Sequence, residues 1–236
     1  MKQLHFIVQA KGGVGKSMLT YLLGLAKDND KNQSLFIDVD SSTQTSTRQL
    51  KFLGENRMET LSLLNDKEVL VRDNLVSYLE SIVNLPFNNV FFDFGAPESE
   101  QVPALIDRDL PLKEFMEELG FNAHFHLVIG GGGAYKSSVD YMKKILKSLN
   151  GDFDVTIWKS ITTFNNFQSL AEELSENCKK MNLPLRQFAD FDPSSNLGSQ
   201  ILDGVRKGYS LSDYQTGARL RLKKELTENF KDEIQN

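Results

Sequence analysis

The chain has 236 residues, of which 40% are hydrophobic and 25% are charged, as in an ordinary globular protein. Its net charge of −5 argues against a surface built to coat nucleic acid. A single cysteine excludes an intrachain disulfide, and no apolar run approaches the length of a membrane span. Because the N-terminus also shows no signal-peptide pattern, we expect a cytoplasmic location.

An apolar run at residues 4–8 leads into a glycine-rich loop, and a helical pattern follows the loop. The loop is the octapeptide Ala10-Lys11-Gly12-Gly13-Val14-Gly15-Lys16-Ser17. Strand, glycine loop and helix form the context in which backbone N–H groups cradle phosphates at the positive end of a helix. We therefore expect residues 12–18, which run from Gly12 through Gly13, Val14, Gly15, Lys16 and Ser17 to Met18, to bind the nucleotide. Lys16 would reach the terminal phosphates, and the Ser17 hydroxyl would ligate Mg²⁺.

This octapeptide resembles the deviant Walker A loop, Lys-Gly-Gly-x-Gly-Lys-[Ser/Thr], of the ParA/MinD family of ATPases. The plain Walker pattern would need glycine at position 10, where this chain has Ala10. In that family the first lysine of the loop reaches across a dimer interface to the nucleotide of the partner subunit. The resemblance implies that Lys11 has this role here and stabilises phosphoryl-transfer charge in trans, as an arginine finger does.

A second apolar strand, residues 34–37, is followed by Asp38 and Asp40, and the carboxyl ends of parallel strands line the ligand crevice. Acids two residues apart point the same way on an extended chain. By the resemblance, Asp40 orients the attacking water and Asp38 holds the hydration shell of Mg²⁺. The alternative is that both acids cap the next helix, with Ser41 or Ser42 at its N-cap.

A later apolar strand, residues 89–95, contains Asp93 near its end, as a Walker B strand does. The acid of such a strand supports Mg²⁺ directly or through water. Gly95 would allow close approach to the γ-phosphate, and the resemblance makes residues 95–98 a candidate switch that moves with nucleotide state. Lys11, Lys16 and Asp40 are thus the expected catalytic residues, and Ser17, Asp38 and Asp93 the expected metal ligands.

Residues 97–120 are polar and contain several prolines. We expect one helix there, at 112–119, and we expect the acids of the region and Arg108 to form a solvated face. His124 and His126 share one face of the next strand, where they make half a metal site at best and are better interpreted as half-buried strand histidines. The glycine run at residues 130–133 would either fold over the nucleotide, face a dimer partner or form a flexible loop.

Two later positions are implied by the resemblance to read the nucleotide base. One is Asn165, or its neighbour Asn166, after a late strand, and the other is Asp192 in the turn that follows the last strand. The C-terminal helical pattern, residues 216–230, mixes basic and apolar residues with acids. It is interpreted as a closing helix packed on the sheet, with membrane or DNA contact through it as the disfavoured alternatives.

Strand and helix patterns alternate along the whole chain, which predicts an α/β fold with a doubly wound, mostly parallel sheet and helices on both faces. We expect one P-loop ATPase domain over residues 1–236. The predicted helices are 16–27, 44–54, 72–82, 112–119, 135–149, 167–180, 195–206 and 216–230. The predicted strands are 4–9, 34–37, 59–63 (or a turn), 89–95, 123–129, 153–158 and 183–188.

The resemblance implies a protein that uses ATP and Mg²⁺ and forms a homodimer with ATP sandwiched between the subunits. Hydrolysis would dissolve the dimer, so that ATP would act as a timer for the positioning of a cargo. The cargo that we favour is a plasmid in partition or conjugation, reached through an adaptor or activator protein. Nucleic acid would be bound weakly or indirectly. Two alternatives stay open: a metabolic P-loop enzyme that transfers phosphate to, or ligates, a small molecule, and a weakly hydrolysing ATP-binding module, including a membrane-associated positioning protein.

Overall fold

Strands and helices alternate in the computed structural model of the chain, which describes residues 1–28, 34–40, 45–65 and 71–231. The strands are β1 Lys2–Val8, β2 Ser34–Val39, β3 Met58–Thr60, β4 Asn89–Phe94, β5 Phe121–Ile129, β6 Asp154–Ser160 and β7 Leu185–Phe188. The helices are α1 Lys16–Ala26, α2 Thr45–Gln49, α3 Asp73–Ser81, α4 Ala96–Ala104, α5 Leu112–Glu118, α6 Tyr135–Leu149, α7 Ile161–Phe164, α8 Gln168–Lys180, α9 Asn196–Lys207 and α10 Thr216–Asn229.

The described strands form one sheet in the order β3-β2-β4-β1-β5-β6-β7, and every pairing in it is parallel. Side chains alternate between its two faces: Leu4 and Phe6 of β1 pack into one core cluster, and Ile7 packs into the other. The first cluster lies under α3 to α6 and α8, and the second lies under α1, α9 and α10. The predicted doubly wound fold is confirmed, and it brings the carboxyl ends of all the strands to one edge.

The helix predicted at residues 44–54 is wrong in extent, and its first residue lies outside the described ones. Helix α2 ends at Gln49, and two short 3₁₀ turns follow it. The side chain of Leu50 comes so close to Gly24 of α1 that a Cβ at Gly24 would lie 2.6 Å from Leu50 Cδ2. Tertiary packing of Leu50 and Leu53 against α1 therefore replaces the regular helix.

Most of residues 97–120 is helical, and the acids of this region and Arg108 are exposed as expected, with the buried Glu98 as the exception. Helix α4 contains Pro103, and its last turn widens into a π-helical segment at Leu105–Asp109. A proline inside a helix deprives the carbonyl four residues earlier of its donor. That carbonyl belongs to Ser99, and it accepts a hydrogen bond from the Tyr141 hydroxyl at 2.7 Å. A side chain from α6 thus satisfies the group that Pro103 leaves open.

Three histidines meet on the α1 face of the sheet. His5 of β1 lies beside His124 and His126 of β5, and the ligand nitrogens of the three rings lie within 4.8 Å of one another. His124 is half-buried as expected, whereas His126 is fully buried. The role of His5 was not foreseen, because its partner histidines lie more than one hundred residues away in the sequence.

The hydrogen bonds of this cluster fix its protons. The Trp158 indole N–H donates to His126 Nδ1 at 2.9 Å, so Nε2 of the neutral His126 ring carries the proton and donates to His5 Nδ1 at 3.0 Å. A metal ion on His126 Nε2 would force the proton onto Nδ1, where it would face the Trp158 N–H. The cluster is therefore a satisfied hydrogen-bonded network in the core rather than a metal site.

Helix α10 closes the same face. Ala218, Leu222 and Leu226 are buried, and the ring of Phe230, which follows the helix, stacks on Trp158 with ring centroids 5.2 Å apart. The closing-helix interpretation is confirmed, since the apolar side of α10 is already covered by protein. Among the described residues, no helix has the length and apolarity needed to cross a membrane.

The histidine cluster predicts an acid-dependent loss of stability. Burial is the main cause that lowers the pKa of His5 to about 3, and it lowers the pKa of His126 and His124 as well. The unfolded chain therefore binds protons first below about pH 6.5, and the free energy of unfolding falls from there towards pH 4. In His5→Gln we expect this decrease to be shallower, by up to about 1.4 kcal/mol per pH unit.

The measurement is urea unfolding followed by circular dichroism between pH 7 and 4.5. The buried acids Asp93 and Glu225 have raised pKa values and act in the opposite direction, so the comparison is between slopes of variants rather than absolute values. Tyr141→Phe is the matched control, because it loses a buried hydrogen bond without titrating in this range. Parallel pH dependences for wild type and His5→Gln would contradict the prediction.

Candidate nucleotide site

The loop between β1 and α1 has the backbone shape that phosphate binding needs. Gly13 and Gly15 adopt φ angles of +75° and +104°, which side chains other than glycine rarely allow. Helix α1 begins directly afterwards at Lys16, so its free N–H groups point back at the loop. A Cβ at Gly15 would lie 3.2 Å from Phe188 and 3.3 Å from the Ser160 hydroxyl, so the ends of β6 and β7 support the loop from behind.

Val14 is turned into the protein, so only its backbone faces the loop. Its side chain is buried against Gly130, where a Cβ would lie 2.8 Å from Val14 Cγ1. Gly131 is packed as closely, against the carbonyl of Thr163. The start of the glycine run at residues 130–133 is thus a packed support of the phosphate loop, and the flexible-loop alternative is wrong for these two positions.

Lys16 is a nearly buried cation, with 9% of its surface exposed. Its Nζ donates to the carbonyl of Gln9 at 2.9 Å, which uses one of the three ammonium donors and leaves two for phosphate oxygens. Burial lowers the pKa of Lys16, and the carboxylates of Asp93, Asp40 and Glu98 oppose that shift. The lysine is therefore held in place by the Gln9 carbonyl, and the three nearby carboxylates favour its charged form against the effect of burial.

A cleft of about 280 Å³ opens beside Lys16 and gathers most of the expected phosphate and metal residues. It is lined by Gly12, Gly13, Lys16, Ser17, Asp40, Thr45, Asp93, Phe94, Gly95, Ala96 and Pro97. The lining combines the phosphate loop with the ends of β2 and β4, which are neighbours in the sheet. Sequence reasoning thus placed Ser17, Asp40 and Asp93 in one cleft, and the structure brings them together.

Asp93 is the deepest acid of the cleft. Its Oδ2 accepts a hydrogen bond from the Ser46 hydroxyl, whereas its buried Oδ1 has no hydrogen-bond partner among the described residues. Burial raises the pKa of Asp93 to about 6, although Ser46 and Lys16 counteract this shift. A buried carboxylate oxygen without a donor, next to the Ser17 hydroxyl, fits a hard cation such as Mg²⁺.

Asp38 lies opposite Asp93 in the register of β2 and β4, but it is not among the residues that line the cleft. It is 1% exposed, and its Oδ2 accepts hydrogen bonds from the Thr47 N–H at 2.8 Å and the Thr47 hydroxyl at 2.9 Å. Burial is the main cause that raises its pKa. The capping alternative therefore holds for Asp38, although Ser41 and Ser42 lie outside the described residues.

Glu98 was foreseen only as part of the candidate switch, and its acid was expected on a solvated face. It is only 3% exposed, and its carboxylate reaches back from the first turn of α4 to Gly95. A Cβ at Gly95 would overlap Glu98 Oε2 and would lie 3.2 Å from Cγ of Asp40. Glu98 and Asp40 thus flank Gly95, and both carboxylates interact electrostatically with Lys16. The position of Glu98 depends on α4, a helix that was not predicted because of the prolines in this region.

Lys11 does not line the cleft of its own loop. Its exposed side chain borders a separate cleft of about 340 Å³ between α4 and α6, together with Glu100, Tyr141 and Lys144. The two loop lysines therefore diverge, with Lys16 inside its cleft and Lys11 outside it.

The residues expected at the base lie at the same sheet edge but apart from this cleft. Asn165 is exposed directly after α7, and Asp192 is exposed in the turn after β7. Asp192 accepts hydrogen bonds from the N–H and hydroxyl of Ser194, which lower the pKa of its carboxyl. Neither residue lines the cleft around Lys16, so their roles stay predictions.

Several polar partners were missed because nothing in a linear pattern marks them. Gln9 and Ser99 are fully buried and hydrogen bonded to each other, with the Gln9 N–H 3.1 Å from Ser99 Oγ. Ser46 and Thr47 serve the two buried acids of the site. A strongly polar residue such as Gln9 at the end of an apolar strand is the one signal that could have been noticed.

A parallel sheet whose first strand leads into a glycine loop and a helix, with carboxylates at the ends of the paired strands β2 and β4, defines a P-loop nucleotide-binding protein. The sequence profile of the CobQ/CobB/MinD/ParA nucleotide binding domain matches residues 5–210. The chain therefore belongs to this family, in agreement with the resemblance of its loop.

More specific relatives are distant. Two Escherichia coli proteins, each named Protein TraL, are 26% identical in an alignment of 167 positions that covers 67% of this chain and 63% of each relative. The chain thus matches somewhat less than two thirds of their length. The MinD cell division protein of Aquifex aeolicus has a TM-score of 0.54 at 14% identity, covering 96% of this chain and 97% of that one. The MinC:MinD cell division protein complex of the same organism gives 0.54 at 13% identity, covering 97% of each chain. These structures establish the fold alone.

The close approach at Gly95 predicts a selective defect. In Gly95→Ala the new methyl group displaces the carboxylates of Glu98 and Asp40, and overpacking of this kind costs roughly 1–3 kcal/mol. We expect binding of a fluorescent ATP analogue with Mg²⁺ to weaken by about tenfold or more. Gly133→Ala is the control, because a Cβ there meets nothing within 4 Å and should leave binding unchanged. Equal affinities for both variants would show that the Gly95 contact is not part of the site.

Proposed function

We propose that the protein is an ATP-dependent switch that dimerises around two nucleotides and hydrolyses ATP slowly to separate again. The observation that supports this most is the divergence of the two loop lysines. Lys16 lies in the cleft of its own subunit, whereas Lys11 is exposed outside it. Because the Lys11 side chain lies outside the cleft of its own subunit, it could contact the phosphates bound by a second copy.

In this proposal each chain supplies most of one nucleotide site. The loop N–H groups and Lys16 bind the β- and γ-phosphates, and Ser17 with Asp93 holds Mg²⁺, with Asp38 behind them in the outer shell. When bound, Mg²⁺ supplies charge neutralisation between the phosphates. Asp40 accepts a hydrogen bond from the attacking water, and Asn165 and Asp192 flank the base. The unit of function is one domain formed by residues 1–236.

Dimerisation would complete the site electrostatically. Asp40, Asp93 and Glu98 interact with Lys16, and Asp38 lies beside Asp40 and Asp93, whereas Lys11 is turned away from this cleft. A triphosphate adds further negative charge, so the site needs cations from outside the chain. Mg²⁺ is one such source, and Lys11 of a second copy is the other.

For the cargo we propose a role in conjugation or plasmid maintenance through a partner protein. The support is the similarity to the two TraL proteins and the acidic net charge of −5. A membrane role through α10 is disfavoured, because its apolar side is covered by β6, β7 and α9.

The oligomeric state tests the dimer. We expect sedimentation to show a monomer without nucleotide or with ADP, and a dimer with ATP and Mg²⁺. Lys11→Ala should bind ATP but stay monomeric, because only the contact in trans is lost, whereas Lys16→Ala should lose ATP binding itself. Lys144→Ala is the matched control, since it removes a neighbouring exposed lysine and should dimerise normally. A monomer that turns over ATP at the wild-type rate would rule out the sandwich.

Asp40 separates a hydrolysing switch from a module that merely binds ATP. Asp40→Ala should lower ATP turnover by 100-fold or more, on the order of the contribution of a group that positions the attacking water. ATP binding should persist, so the ATP-bound dimer should be longer-lived than in the wild type. Unchanged turnover in this variant would favour the binding module.

A further inference from the structure

Gln9, the last residue before the phosphate loop, joins more parts of the site than any motif residue does. It is fully buried, and its main chain and side chain both take part in hydrogen bonds. Its N–H donates to Ser99 Oγ at 3.1 Å, and its carbonyl accepts from Lys16 Nζ at 2.9 Å. The backbone of Gln9 therefore connects the phosphate lysine to α4, the helix whose first turn contains most of the candidate switch.

The side-chain amide of Gln9 makes a second set of bonds. Its Nε2 donates to the carbonyls of Val128 at 2.8 Å and Ser138 at 3.2 Å, which belong to β5 and to the first turn of α6. Its Oε1 accepts from the backbone N–H of Lys11 at 3.1 Å. Both amide donors are used, so the orientation of the amide is determined, and Oε1 can only face the loop.

We infer that Gln9 is a positioning residue for Lys11. The bond from the Lys11 N–H to Gln9 Oε1 ties the loop at the point where the Lys11 side chain leaves it. The amide that holds this point is itself clamped to β5 and α6. Because Lys11 borders the cleft between α4 and α6, the same element that anchors Gln9 also forms one wall beside the Lys11 side chain.

The inference rests on the proposed function, in which Lys11 acts on the nucleotide of a second copy. A lysine has a long flexible side chain, and fixing its backbone lowers the entropy lost when it reaches across an interface. Gln9 thus pre-orients the exit of Lys11 while its own carbonyl orients Lys16. Phosphate binding by Lys16 needs only the carbonyl, whereas the direction of Lys11 needs the side chain.

That division of labour gives the test. Gln9→Met keeps the backbone, the length and the burial of the side chain but removes all three amide bonds. With ATP and Mg²⁺ we expect its dimer association constant to fall about tenfold, because Lys11 then loses more conformational freedom when it reaches across the interface. Affinity for a fluorescent ATP analogue in the monomer should stay within about threefold of the wild type.

Ser99→Ala is the matched control. It removes a buried bond to the Gln9 main chain but leaves the amide and Lys11 untouched, so dimer association should change less than in Gln9→Met. In a Lys11→Ala background, Gln9→Met should cause no further loss of association, because its effect passes through Lys11. An additive loss, or an equal loss of nucleotide affinity and association, would overturn the inference.

A measurement on the unaltered protein covers the case in which Gln9→Met does not fold. Amide hydrogen exchange followed by NMR in the nucleotide-free protein should show a protected Lys11 N–H beside fast-exchanging Gly12 and Gly13 amides. A Lys11 amide that exchanges as fast as those glycines would overturn the inference. If Lys11→Ala itself leaves ATP-dependent association intact, the proposed role of Lys11 in trans fails; if it abolishes association while Gln9→Met has no effect, only the role of Gln9 fails.

Discussion

The phosphate loop can point its N–H groups outward only because its side chains are turned back and accommodated behind it. Val14 occupies the space that a side chain at position 130 would need, and Gly15 lies against Phe188 and Ser160. These contacts come from the ends of β5, β6 and β7, which follow the loop by more than one hundred residues. The local shape of residues 12–17 is thus stabilised by the whole sheet, and it would not persist in an isolated peptide.

The buried charges of the site follow from the same arrangement. Parallel strands β2 and β4 end next to each other, so their terminal acids Asp38 and Asp93 are brought together at low dielectric. Each is held by a hydroxyl from α2, and Asp93 still has one oxygen without a donor among the described residues. Burial that raises the pKa of both acids in the free protein also increases what the site gains from a cation. The buried carboxylates are thus unfavourable in the free protein, and a metal ion bound together with the nucleotide would stabilise them.

Periodicity in the sequence was sufficient for the strands and for the long helices, because buried parallel strands and amphipathic helices have distinct apolar patterns. It failed at α4, where Pro103 signals a break. The break does not occur, because the Tyr141 hydroxyl, from another element, bonds the carbonyl that the proline leaves open. It failed at Glu98 for the same reason, since the burial of that acid depends on α4. Motif spacing located Lys16, Ser17 and Asp93, whose positions are set by local geometry.

The two lysines of the loop show why spacing alone could not describe the site. Lys11 and Lys16 belong to one short motif, yet one is exposed beside α6 and the other is nearly buried. One buried residue bonds to both of them: the main-chain carbonyl of Gln9 accepts from Lys16 Nζ, and its side-chain Oε1 accepts from the Lys11 backbone N–H. An apolar residue at position 9 would remove the bond to the Lys11 N–H and the bonds to the carbonyls of Val128 and Ser138. The glutamine is therefore explained by what the loop requires of it, and not by the strand that precedes it.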